Sequence, residues 1–344
     1  MMRLRVRGGV NVSFIAGMKQ KAKSVKKKII LPEATDIRVL TAASAAAQEG
    51  LADIILVGNK AEILQTAGSI DLSQVTIVDV ETAEKREEYI TRFYELRKSK
   101  GLGIDQAREL LTDPVYFGIM MIKQNDADGM VSGAIHSTAD TLRPVLQIIK
   151  TAPGTSLVSS FFIMEVPQCD YGHEGVFLFS DCALNENPNA EQLAEIAIAS
   201  AHTMKNLLDI EPIVAMLSYS TYGSANSVLT EKVRQATLLA QQKAPDLRID
   251  GELQVDAALV AATAQLKAPT SSVAGQANVL IFPDLNAGNI GYKLTERLGK
   301  AQAYGPITQG LAKPINDLSR GCKAEDIIGV IALTAIQAQA QDNP

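Results

Sequence analysis

The chain has 344 residues, a net charge of −5 and a hydrophobic fraction of 47%. That length suits roughly two domains of ordinary size. The acidic balance argues against a nucleic-acid or anionic-membrane binder, and no apolar run approaches the ~20 residues of a membrane-spanning helix.

Residues 1–13 include Arg3, Arg5 and Arg7 but no signal-peptide pattern, and read as a loose extension, with the fold starting near Met18. Short apolar, β-branched runs then alternate with longer amphipathic segments. Lys28–Leu31, Asp53–Val57, Val75–Val80 and Gly129–Val131 read as strands, followed by Phe161–Met164, Val176–Phe179, Ile213–Leu217 and Val279–Phe282. Several are nearly continuous hydrophobic runs bounded by Asp, Gly or Pro, as buried parallel strands are. Helices are expected at Val39–Glu49, which stops at Gly50, and at Glu81–Lys98, Ala190–Leu208 and Val228–Lys243. The alternation predicts an α/β fold with mainly parallel sheets covered on both faces. Turn-forming clusters at Thr151–Thr155 and Tyr304–Pro306 suggest that the chain leaves one domain and later returns, with a cleft between the two as the default site.

Cys169, Cys182 and Cys322 are odd in number, widely spaced and lack a CxxC. His136, His173 and His202 stand at no metal-ligand spacing. A disulfide scaffold or zinc site is not expected, and a reducing cytoplasm fits. Neither GxxxxGK[ST] nor a well-placed GxGxxG is present, which argues against P-loop and usual dinucleotide chemistry.

Two stretches carry chemistry. In Val131–Pro144, a strand ends in Ser132-Gly133 and a hydroxyl-rich loop with Ser137 and Thr138 leads into a helix bearing Arg143. Hydroxyls, backbone N–H groups and an Arg at a strand's C-terminal end suit phosphate oxygens, and equally suit an ordinary helix cap with an exposed Arg. In Pro314–Ile327, Ser319, Arg320 and Asp326 gather at the expected start of an apolar helix. This is either an anion site with a general base beside it, or a turn followed by first-turn acids. Arg97 lies in a basic cluster with Arg92, Lys98 and Lys100, which as local pattern is a solvated helix end. Asp181, Asp256 and Asp284 read as structural loop acids rather than a metal site.

The motifs Leu31-Pro32-Glu33, Thr35-Asp36-Ile37-Arg38, Val131–Ala134, His136–Thr141 with Arg143-Pro144, Phe179–Ala183, Gly251–Ala258, Phe282–Leu285, Ala287–Lys293 and Pro314–Ile327 occur in order. On these the chain, from about Met18 to Gln341, resembles the phosphate acetyltransferase (phosphotransacetylase) family. The resemblance implies two α/β/α domains of isocitrate/isopropylmalate dehydrogenase-like architecture with an interdomain cleft. Residues 14–155 and 306–344 would form a discontinuous first domain, and 156–305 the second. It implies reversible acetyl transfer between acetyl phosphate and coenzyme A, with inorganic phosphate as the other product, in a cytoplasmic homodimer. No cofactor or metal is expected, coenzyme A being a substrate, and neither nucleic acid nor membrane is an expected partner. The family's catalytic positions fall on Ser319, Arg320 and Asp326, and its further arginines on Arg143 and Arg97; Ser137 and Thr138 join the substrate side. Asp326 would take the thiol proton, Ser319 or backbone N–H groups would face the oxyanion, and the arginines would hold the phosphate. The alternatives are a phosphate butyryltransferase-type enzyme and a non-catalytic acetyl-coenzyme-A-sensing domain. An acyl-cysteine on Cys322 is the mechanistic rival to direct attack in a ternary complex.

Overall fold

A computed structural model describes residues 14–342; the expected extension at 1–13 lies outside the described residues. The first half holds α1 (Phe14–Ala22), β1 (Lys28–Leu31), α2 (Ile37–Gln48), β2 (Asp53–Gly58), α3 (Lys60–Ala67), β3 (Thr76–Asp79), α4 (Arg86–Arg97), α5 (Ile104–Leu110), α6 (Pro114–Lys123), β4 (Gly129–Ser132) and α7 (Thr138–Ile148). Then follow β5 (Ser159–Glu165), β6 (Val176–Ser180), α8 (Ala190–Leu208), β7 (Ile213–Leu217), α9 (Val228–Lys243), β8 (Arg248–Leu253), α10 (Val255–Leu259), α11 (Ala261–Lys267), β9 (Val279–Ile281), α12 (Leu285–Leu298), β10 (Gln302–Gln309), β11 (Ile315–Asp317) and α13 (Ala324–Asp342).

The strands form two sheets, ordered β11-β4-β1-β2-β3 and β10-β5-β6-β9-β7-β8. Every pairing in the first sheet is parallel. In the second, only β5 opposes its neighbours, pairing antiparallel with both β10 and β6. The expected α/β class with mainly parallel sheets is therefore what the chain adopts. The first sheet is discontinuous in sequence: its edge strand β11 arrives only after all of the second sheet has been built.

Local chemistry explains the boundaries. Asp36 caps α2 by accepting from the Arg38 N–H, and Gly50 (φ +69) follows its end. The charged helix expected from Glu81 starts at Arg86 instead, because the Asp79 carboxylate accepts from the Glu81 and Thr82 N–H groups and holds that segment in a turn. α1 begins at Phe14, four residues before the expected start of the fold at Met18, and the Phe14 N–H donates to Glu165.

α13 is buried on every side, from Ile327 through Ile336 without interruption. A helix apolar all round belongs in a core or a membrane; no helix among the described residues is long and apolar enough to cross a membrane. Here α13 packs on α1, α2, β4 and β10, so it touches elements of both sheets. The largest apolar cluster accordingly joins Ile29 and Leu31 of β1, Leu178 of β6 and the α13 residues. A buried amide completes the joint. Asn316 of β11 accepts from the Thr308 N–H of β10 at 2.8 Å and donates to Thr334 and Gln337 of α13, both at 2.7 Å. It is 0% exposed, so each bond satisfies a group that water cannot reach.

Candidate active site

The stretch Ser319–Asp326 is not one helix start but a turn followed by a helix. Ser319 accepts at its carbonyl from the Cys322 N–H (2.9 Å) and at Oγ from the Gly321 N–H (3.3 Å). α13 begins at Ala324, as the reading of a turn followed by first-turn acids expects, and Asp326 Oδ2 reaches back to accept from the Lys323 N–H at 2.8 Å. One carboxylate oxygen thus closes the helix start while Oδ1 has no hydrogen bond among the described residues. Ser319, Arg320 and Asp326 are all exposed, on a short rim beyond the C-terminal end of β11.

Arg38 fastens that rim. Its guanidinium donates to the Arg320 carbonyl (2.8 Å), the Cys322 carbonyl (3.0 Å) and the Ala134 carbonyl (2.9 Å). It is itself held by Asp36 (2.7 Å), whose carboxyl lies below its ordinary value chiefly because of the Arg38 hydrogen bond. A planar, five-donor fork suits this task, which a lysine could not perform.

The loop after β4 is organised by a carboxylate of the protein itself. Glu33, 3% exposed, accepts from the Gly133 and Ala134 N–H groups at Oε2 (2.8 and 2.7 Å) and from Ile135 and His136 at Oε1 (2.9 and 2.8 Å). His136 Nδ1 lies 2.8 Å from Oε1. The backbone N–H groups read from sequence as suited to a substrate phosphate are therefore occupied. Ser137 caps α7, accepting from the Asp140 N–H and donating to its carboxylate at 2.6 Å. Thr138 donates to Asp317 Oδ2 at 2.5 Å, tying α7 to the end of β11.

The arginines come from three elements. Arg320 projects from the rim. Arg97 ends α4 and Arg143 lies on α7, and the charges of both oppose the rise that burial gives the Tyr116 phenol. Among the described residues, none of Arg97, Arg143 and Arg320 forms an ion pair. Guanidinium groups without carboxylates suit an anionic ligand.

Cys322 is buried, and burial pushes its thiol up to about 11, against the opposing pull of Arg38. A thiol so protonated is a poor nucleophile near neutrality. Asp181 accepts from the Ala183, Leu184 and Asn185 N–H groups, Asp284 caps α12 at the Ala287 N–H (3.0 Å), and Asp256 pairs with Lys267 (2.8 Å). Among the described residues no group of three His, Cys, Asp or Glu is arranged to hold a metal ion. A cavity of about 630 Å³ between the starts of α8 and α9, lined by Asn189, Ser227 and Lys232, contains none of the expected site residues.

Glu33, Arg38 and Asp317 were given no role on sequence, although Glu33 and Arg38 sit in quoted motifs. Three charged residues straight after a buried strand, Glu33, Asp36 and Arg38, are the signal that could have found the first two of these.

The family model for phosphate acetyl/butaryl transferase matches residues 13–335. The phosphate acetyltransferase of Acetivibrio thermocellus is 62% identical over 328 residues, covering 95% of this chain and 99% of that protein. The phosphate acetyltransferase of Thermoanaerobacterium thermosaccharolyticum is 60% identical, covering 95% and 100%. The crystal structure of a Streptococcus pyogenes phosphotransacetylase superposes with a TM-score of 0.89 at 46% identity, covering 97% of this chain and 100% of that one. A branched-chain phosphotransacylase from Enterococcus faecalis, at 18% identity and a TM-score of 0.65, shares the fold. With its fold, its rim of Ser319, Arg320 and Asp326, and matches over nearly its whole length, the chain belongs to the phosphate acetyl/butaryl transferase family.

Proposed function

We propose that the protein is a phosphate acetyltransferase, an acyltransferase that moves an acetyl group reversibly between acetyl phosphate and coenzyme A. The observation that carries the assignment is the rim itself: a hydroxyl, an unpaired guanidinium and a carboxylate with one free oxygen, presented together. Relatives 55–62% identical bear the same name.

The chemistry asks for three things. The coenzyme A thiol must lose its proton, because the thiolate attacks. Asp326 Oδ1 takes it. The sulfur then adds to the acetyl carbonyl carbon of acetyl phosphate, and the C–O bond to phosphate breaks as the carbonyl re-forms. The oxyanion of the tetrahedral intermediate accepts from the Ser319 hydroxyl; one such donor is worth about 3 kcal/mol. Arg320 and Arg143 hold the departing phosphate, with Arg97 as a further phosphate ligand, and Ser137 and Thr138 form the adjoining edge. Direct attack in a ternary complex needs no enzyme nucleophile, and the protonated Cys322 thiol supports it. Coenzyme A and phosphate are substrates, and the scheme calls for no cofactor.

The homodimer belongs to this proposal. Ile290, Leu294 and Leu298 stand exposed one turn apart on α12, a face that a second copy would cover; sedimentation of the protein tests it. A cytoplasmic location fits three unpaired cysteines. Two α/β domains fit the discontinuity of the first sheet, but the return to the first falls after Gln309 rather than at 306, because β10 runs through Gln309 in the second sheet. Thioester absorbance with acetyl, propionyl and butyryl phosphate tests the function. Acetyl phosphate should be the fastest donor; no thioester with any of them, or butyryl phosphate clearly ahead, overturns the assignment.

A further inference from the structure

We propose that Asp317 is a positioning residue for the acetyl transfer, holding the start of α7 against the turn that carries Ser319 and Arg320, and doing so while its carboxylate is ionised. The inference rests on the acetyl-transfer function above.

Asp317 closes β11 and is 3% exposed. Its Oδ2 accepts from Thr138; its Oδ1 meets no donor in good hydrogen-bond geometry among the described residues, although the Leu318 N–H also acts on the carboxylate. The carboxylate lies so close to Gly133 that a Cβ there would stand 2.2 Å from Oδ1, at a backbone φ of +110 that side chains rarely adopt. Among the described residues, the other buried side-chain polar atoms without a partner are Ser132 Oγ and Thr141 Oγ1. Ser132 is the register partner of Asp317, and Thr141 lies one turn along α7 from Thr138. All three orphans therefore sit at one strand edge, under the rim. Native cores seldom leave such groups unpaired, and a buried carboxylate with so few donors weakens the fold. Its position between two site elements gives it another use: one oxygen anchors α7, and the backbone two residues on is Ser319.

The charged groups acting on Asp317 are Glu33, from the loop after β1, and Arg320, from its own turn. His136 lies behind Glu33 and is bonded to it. On α7, Asp140 is turned toward Ser137, and Arg143 lies further along the same helix. Burial raises the Asp317 carboxyl to about 6; Thr138, the Leu318 N–H and, more weakly, Arg320 oppose the rise, and Glu33 adds to it. Protonation then removes the acceptor charge that holds Thr138.

The test is D317N, compared with wild type in kcat from about pH 5 to about pH 8 and in Tm over the same range. The wild type should lose rate as pH falls through about 6. D317N should turn over about tenfold more slowly at neutral pH, with no limb near that value. Its Tm near neutrality should equal or exceed that of the wild type. T138V keeps the charge but removes the bond that favours it, so its acid limb should move to higher pH. A D317N profile that keeps the wild-type rate and limb overturns the positioning role alone. So does a D317N protein whose rate falls only in proportion to a lost folded fraction. Absence of thioester formation by the wild type overturns the acetyl-transfer function, and the positioning role with it.

Discussion

Replacing Glu33 with Gln tests whether a carboxylate of the protein builds the loop beside the site. The native group accepts four backbone N–H bonds at 2.7–2.9 Å, two at each oxygen. Glutamine offers one acceptor oxygen. It keeps that oxygen toward Gly133 and Ala134, which are buried, and turns its amide NH₂ toward Ile135 and His136. The imidazole Nδ1 can accept one amide proton, but two backbone N–H groups then face a donor. Each buried polar group left unpaired costs about 1–3 kcal/mol. Ile135 and His136 are partly reached by water, so the lower half of that range applies, and the total is about 3 kcal/mol. For a unit of 150–250 residues this lowers Tm by roughly 6–12 °C. Urea unfolding measures the loss, and hydrogen exchange at amides 133–136 locates it. The KM for acetyl phosphate should rise as well, since Arg143 rides on the helix that this loop begins. A loss under about 1 kcal/mol, with those amides as protected as in the wild type, refutes the reasoning.

Asp326→Asn should keep the fold, because its amide oxygen can still accept from Lys323. It should lower turnover by about 10²–10⁴-fold with a modest change in the acetyl phosphate KM; an unchanged rate removes Asp326 as the base. Cys322→Ala should stay within about threefold of wild-type turnover, and loss of turnover with folding and coenzyme A binding intact would restore the acyl-cysteine route. For Asp317, the folded carboxyl titrates at about 6 against an ordinary 3.8, so the fold favours its protonated form. Wild-type stability is then lost as pH rises from 3.8 through about 6. At 1.36 kcal/mol per pH unit the loss is roughly 3 kcal/mol, and Asp317→Asn should recover part of it near neutrality and none of it below that window. Urea midpoints at the two ends of the window give the comparison, and an equal difference at both ends would contradict the assigned charge cost.

What the sequence made legible follows from what hydrophobic pattern encodes. The apolar runs at Ile29–Leu31 and Ile54–Val57 announce buried strands because both faces of the sheet are covered. The same pattern has no sense of direction, so the reversal of β5 against β6 and β10 could not be read from Ser159–Glu165. β10 was missed because Gln302–Gln309 contains Tyr304-Gly305-Pro306, which looks like a turn and is a register shift within a strand. At the site, Ser319, Arg320 and Asp326 all fall on the exposed stretch from the end of β11 to the first turn of α13, and of the two local readings the turn followed by first-turn acids is the one the backbone adopts. An acid three residues after Lys323 was the available sign of the true start. Glu33 and the loop it organises are 100 residues apart, and the Arg38 clamp spans more than 280; no local pattern reports such pairings.

The Asn316 bonds have a mechanical meaning. They pin β10 of one sheet, β11 of the other and α13 at a single dry point, three residues before Ser319. Such a point serves as an axle: if the two sheets rock, atoms near it travel least. Ser319 and Arg320 would then stay nearly still. The hub of a hinge is the steadiest seat for the groups that meet the transition state, and its rim is where a bulky coenzyme can be admitted and released.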